Sequence, residues 1–230
     1  MFRDIYAISY QMRRELYHRI FTVFSAVFSC ILFVSLVCTF FIFPVNSHSS
    51  AMAPDIPDTS VVLVSPLLKS PDRGRIMLVQ PVKDEKLPKT LQFANFFIRF
   101  FTAQQLEFFG AENKIKPSLK RVIGLPGDSV KIKDYIVYIK PAGQKQFLTE
   151  FELTKINYNI TIPMTPDFID RGLGAYGDMD EITLSSNQYF LLGDDRTQCV
   201  DCRIWGPLTK ENFLGRALFI YFPFTKIRHF

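Results

Sequence analysis

The chain has 230 residues, 48% of them hydrophobic, with 24 Phe, one Trp and a formal charge of +5. That length suits one domain plus an anchor, and the composition is rich in apolar residues for a wholly soluble domain, which points to lipid contact. The modest positive charge comes without aromatic-basic interleaving or a groove-reading motif, so it fits a membrane surface and argues against a nucleic-acid partner.

Residues 1–19 carry Arg3, Arg13, Arg14 and Arg19, and the 24 residues from Ile20 to Phe43 carry no charge. As a helix, residues 20–43 would extend roughly 36 Å at 1.5 Å per residue, enough to cross an apolar core of about 30 Å. No Lys or Arg follows until Lys69. The positive-inside bias therefore predicts a single-pass protein of the cytoplasmic (inner) membrane. Its N-terminus would lie in the cytoplasm and residues 45–230 outside. A cleaved leader is the competing reading, because Ala51-Met52-Ala53 has the small-x-small form of a cleavage site. Against it, the apolar stretch exceeds the roughly 7–15 residues of a leader core. Pro54 would also follow the scissile bond, where its ring and missing N–H hinder cleavage. A retained anchor is the expectation.

Beyond the span, short apolar runs alternate with Pro, Gly and Asp turns. The predicted strands are 61–64, 76–80, 121–125, 129–132, 135–139, 188–192 and 217–222. Many short strands with little helix predict a mainly β domain, a barrel or sandwich. Residues 87–119 depart from this pattern as an insertion. Its core places Phe93, Phe96, Phe97, Phe100 and Phe101 on one helical face, with Gln92, Asn95, Arg99 and Thr102 on the other. That pattern fits a helix packed on the sheet, or an interfacial helix with its phenylalanines at the acyl boundary.

Cys30 and Cys38 lie in the apolar span, so the four cysteines form no disulfide framework. Cys199 and Cys202 have the spacing of a local disulfide, two plain thiols or half of a metal site. There is no second cysteine pair, and the three histidines, His18, His48 and His229, are scattered along the chain. The metal reading therefore fails, and no metal is expected.

The chemistry-bearing residues fall in three places. Lys120 heads an apolar strand, Arg121-Val122-Ile123-Gly124-Leu125, that runs into a rigid Pro126-Gly127-Asp128 turn. Downstream stand Gly193-Asp194-Asp195-Arg196 and then Asp201-Cys202-Arg203-Ile204-Trp205-Gly206. Just past the span the chain reads Ser49-Ser50-Ala51-Met52-Ala53-Pro54. A lysine at its solution pKa of about 10.4 is a poor base, and burial against apolar walls disfavours its ammonium form. A lysine leading into such a strand is placed for that burial.

Together these stretches resemble the type I signal peptidases, membrane-bound Ser/Lys proteases that remove leader peptides from secretory preproteins. The eukaryotic relatives carry histidine where Lys120 stands, which favours the bacterial branch. The resemblance implies Lys120 as general base and Ser49 as an oxyanion donor, with secretory preproteins and membrane lipid as partners. It implies no metal or organic cofactor. Asp194, Arg196, Asp201 and Arg203 match the family's last box as supporting residues, with Asp201 and Arg203 expected to form a structural ion pair. Cys199 stands where the family commonly has a serine that supports the lysine, and a thiol is a weaker hydrogen-bonding group than a hydroxyl.

The nucleophile box departs from the family pattern Ser-x-Ser-Met-x-Pro, because Ala51 occupies the attacking serine's place. Three readings stay open: an inactivated enzyme that still binds leaders, Ser50 as substitute nucleophile after a local backbone shift, or Cys199 attacking with Lys120 as base. In the first, the chain is a non-catalytic leader-peptide-binding paralogue. The following boxes are also loose, with Thr59-Ser60 for the usual Gly-Asp and Arg73-Gly74-Arg75 for Arg-Gly-Asp.

Overall fold

A computed structural model describes residues 2–47, 49–81, 88–102, 116–162, 177–197 and 199–230. The chain opens with α1, Phe2–Phe40, whose segment Met12–Phe40 is long and apolar enough to cross a membrane. The helix stops short of the expected end at Phe43, because Phe43 opens strand β1 (Phe43–Ser47). Pro44 supplies the reason: the residue before a proline is pushed out of the helical region. An apolar run alone does not distinguish the end of a helix from a buried strand.

The remaining strands are β2 (Ser60–Ser65), β3 (Ile76–Val79), β4 (Ser118–Gly124), β5 (Ser129–Lys133), β6 (Ile136–Lys140), β7 (Leu148–Thr149), β8 (Met179–Thr183), β9 (Gln188–Leu192), β10 (Leu208–Thr209), β11 (Phe213–Phe222) and β12 (Arg228–His229). Helices α2 (Lys89–Phe101), α3 (Glu150–Leu153) and α4 (Cys202–Trp205) interrupt them. The domain is mainly β, as expected. One sheet runs β1-β2-β11-β3-β4-β9-β10 with β12 added to β11, and a second runs β7-β6-β5-β8. The main core is shared between them, with Met77, Val122 and Phe190 from the first sheet packed with Val130, Ile132, Val137 and Ile139 from the second. A smaller core gathers Met52, Ile56, Val62, Val64, Ile76 and Leu119.

Each predicted strand is present, with ends moved by local turn chemistry. The 135–139 strand begins at Ile136 because Asp134 and Tyr135 both take positive φ, 51° and 65°, the backbone of a two-residue hairpin turn. Beyond Gly124, the Asp128 amide donates to the Leu125 carbonyl at 3.1 Å, and Gly127 has φ 85°. That geometry is a type II turn, where glycine tolerates the left-handed position. Asp128 fixes the turn further by accepting from the Leu125 amide at 2.7 Å and pairing with Arg73 at 2.8 Å. Of the 87–119 insertion, α2 is a helix as expected, and residues 103–115 lie outside the described residues.

Candidate active site

Strand β4 sits between β3 and β9 and is covered on both faces, which is why Lys120 and Arg121 are each only 2% exposed. Successive residues of a strand point to opposite faces. Lys120 lies opposite Met77 in the register and Arg121 opposite Ile76, so the two basic side chains serve different sides of the sheet. The Lys120 amine donates to Cys199 Sγ at 2.8 Å and stands 5.8 Å from the centre of the Trp205 ring. Burial pushes the Cys199 thiol above its ordinary range, against the opposing pull of Lys120. Cys199 is therefore a neutral thiol beside the amine at neutral pH.

The turn expected to carry the nucleophile meets this pair through Gly193. Ser50–Met52 form one turn of 3-10 helix capped by Ser49, whose hydroxyl accepts from the Ala51 amide at 3.3 Å. The Ala51 carbonyl accepts from the Asp195 amide at 3.2 Å. A Cβ at Gly193 would stand 2.1 Å from Cys199 Sγ and 2.6 Å from the Ala51 carbonyl oxygen. Only glycine lets the 49–52 turn, Cys199 and β9 approach this closely. The Ala51 backbone is thus brought beside Gly193 and Cys199, next to the strand that carries Lys120.

The last box is held by ion pairs. Asp201 and Arg203 pair as expected, through Arg203 Nη2 to Asp201 Oδ2 at 2.8 Å and Nε to Oδ1 at 2.9 Å. Asp201 also accepts from the Gly193 amide at 3.2 Å, and Arg203 donates to the Arg196 carbonyl at 2.9 Å. The charges of this box therefore fix the backbone around Gly193. Cys199 and Cys202 are free thiols, and Cys202 Sγ accepts from the Leu191 amide at 3.2 Å, so the two sulfurs serve separate partners. Burial pushes the Cys202 thiol up to about 12.

Two partnerships were not legible from motif spacing. Asp194 pairs with Arg121 in two hydrogen bonds, one from Nε at 2.7 Å. Arg121 also reaches Asp55 at 3.0 Å and the Gly74 carbonyl at 2.8 Å, and lies 4.0 Å above the Tyr158 ring. Arg196 pairs with Glu150 at 2.7 Å, and the Tyr158 hydroxyl donates to the same carboxylate oxygen at 2.7 Å. A signal for the first existed in sequence: an arginine inside an apolar strand cannot stay buried without carboxylates. Lys120 stands against Cys199, and the 49–52 turn bonds to the Asp195 backbone beside them, with Asp201 and Arg203 holding the Gly193 backbone.

Comparison with known proteins adds to this geometry. A family model described as signal peptidase, peptidase S26, matches residues 20–222. The chain is similar to signal peptidase I P of Bacillus subtilis subsp. natto, 29% identical over 166 residues covering 67% of this chain and 83% of that protein. It is also similar to signal peptidase I of Rickettsia massiliae, 31% identical over 124 residues covering 47% of this chain and 46% of that protein. The chain thus spans about half the length of the rickettsial relative. A solved signal peptidase I from Enterococcus faecalis V583 is 18% identical, with TM-score 0.32, covering 65% of this chain and 97% of that chain.

Proposed function

The chain belongs to the S26 signal peptidase family, and we propose that it takes the leader peptide of a secretory preprotein as an extended strand beside Lys120 for cleavage by signal-peptidase chemistry. The observation that carries this reading is the buried Lys120 amine, 2.8 Å from Cys199 Sγ, on the strand beside the 49–52 turn. In that chemistry a hydroxyl attacks the scissile carbonyl while Lys120 takes its proton and later returns it to the leaving amine. The Ser49 hydroxyl and the residue 51 amide face the oxyanion. At 3.3 Å the bond between those two groups is long, so an incoming carbonyl oxygen displaces it at little cost. The domain lies outside the cytoplasmic membrane in this reading, anchored by α1 with its N-terminus in the cytoplasm. The arginines before residue 20 support that orientation.

Ala51 gives a second reading its specific support: leader binding without turnover. Residue 51 carries no hydroxyl, while Lys120 is buried against Cys199. Incubating the reconstituted chain with a leader-bearing preprotein separates the two. Cleavage lost in Ser50→Ala and retained in Cys199→Ala assigns the hydroxyl to Ser50. Binding of the preprotein with no cleavage assigns the second reading. Neither binding nor cleavage would overturn both.

A further inference from the structure

We propose that α2 lies in the boundary zone of the same bilayer that α1 crosses, as a second and separate lipid contact of the domain. The inference rests on α1 being a membrane span, and its test keeps that premise distinguishable. In a helix packed on a sheet the aromatic stripe would be buried. Here Phe93, Phe96, Phe97 and Phe101 are 65%, 52%, 46% and 48% exposed, and the buried residue of α2 is Asn95. At about 100° per residue, Asn95 stands opposite the phenylalanine stripe. The protein side of α2 is thus Asn95 with half-buried Leu91, Ala94 and Ile98, and the phenylalanine stripe faces away from it.

The rings form a continuous plate, with centroid separations of 4.9 Å for Phe93–Phe97, 5.9 Å for Phe96–Phe97, 6.3 Å for Phe96–Phe100 and 5.2 Å for Phe100–Phe101. An aromatic side chain presents roughly 150–250 Å², so four half-exposed rings show on the order of 400 Å², the size of a functional apolar patch. The bilayer is the occupant because the patch continues an apolar surface already committed to lipid. α2 packs against α1, and Ser35 is the buried position of α1 from residue 12 onward. Ser35 precedes the helix end at Phe40 by five residues, roughly 7.5 Å along the axis.

Beneath α2 lies a cleft of about 340 Å³ whose lining includes Phe43, Val45, Leu78 and Leu214 together with Lys69 and Arg99. Phe43 in that lining lies three residues past the end of α1, where the headgroups of a spanned bilayer would begin.

The test places Trp at Phe97 in the full chain, reconstituted at one copy per lipid nanodisc, with lipids brominated either near the headgroup or deep in the acyl chain. Phe93→Trp serves as a second reporter on the same face, and the parent chain supplies the Trp205 background. The expected result is at least twofold stronger quenching of the added Trp by shallow than by deep bromines. Quenching no greater than that of the parent, with the chain still held by the disc, overturns the placement of α2. A chain that leaves the disc in alkaline carbonate removes the premise about α1 and the proposal with it. Shielding of the added Trp only in discs loaded with two copies assigns the face to self-association and refutes the lipid reading.

Discussion

Gly193→Ala tests how the site is assembled, because the added methyl has nowhere to go. Its Cβ would stand 2.1 Å from Cys199 Sγ and 2.9 Å from Cys199 Cβ, with the Ala51 carbonyl oxygen at 2.6 Å. Nonbonded heavy atoms rest at about 3.5–4.0 Å, so the sulfur must retreat by roughly 1.4 Å or the 49–52 turn must lift. Either movement parts Cys199 from Lys120 or residue 51 from both. Overpacking of this kind costs about 1–3 kcal/mol, which lowers the melting temperature by roughly 2–12 °C for a domain of this size. The assay is thermal unfolding in detergent together with iodoacetamide labelling of Cys199, read by mass spectrometry. A displaced thiol should label at least tenfold faster than the parent's buried one. Pairing the change with Cys199→Ala should recover part of the stability, since the nearest obstructing atom is gone, giving a coupling of about 0.5–3 kcal/mol. Unchanged melting and unchanged labelling in Gly193→Ala would refute the close approach.

Other perturbations follow from the same geometry. Asp194→Ala leaves Arg121, 2% exposed, without its main carboxylate and should cost about 3–5 kcal/mol, measured by chemical denaturation. Glu150→Gln takes the charge from Arg196 and should destabilise the fold similarly while leaving the Lys120–Cys199 contact in place, which Cys199 labelling reports. Burial raises Cys202 from 9.0 to about 12, so the folded state holds that proton more tightly than the unfolded chain. Its contribution is complete below pH 9 and lost as pH rises toward 12, at up to about 1.4 kcal/mol per pH unit. Cys202→Ala should flatten the pH slope of stability over that range, and an unchanged slope would contradict it.

Much of this architecture was legible in the chain itself, and its limits have physical causes. Periodicity and turn residues marked the strands, and an uncharged run marked α1, because those signals are local. The end of α1 was misplaced by three residues because Phe41 to Phe43 are apolar in helix and strand alike, and Pro44 decides between them. The Lys120 strand, the 49–52 turn and the Asp201–Arg203 pair lay in motifs and could be read together. Arg121 with Asp55 and Asp194, and Arg196 with Glu150, join residues 66, 73 and 46 positions apart. No spacing rule links such distant residues, and only the folded sheet brings them into contact. The exposure of the α2 phenylalanines was equally beyond periodicity, which shows that a helix has two faces but not which one the protein keeps.

Preprotein cleavage by Ala51→Ser, alone and combined with Lys120→Met, tests Lys120 as the base and residue 51 as the nucleophile position. With a hydroxyl introduced at residue 51, the single variant should remove the leader at one site, and the double variant should bind the preprotein without cutting it. Failure of Ala51→Ser to cleave a preprotein it binds, or cleavage that survives Lys120→Met, would contradict the assignment of base and nucleophile position.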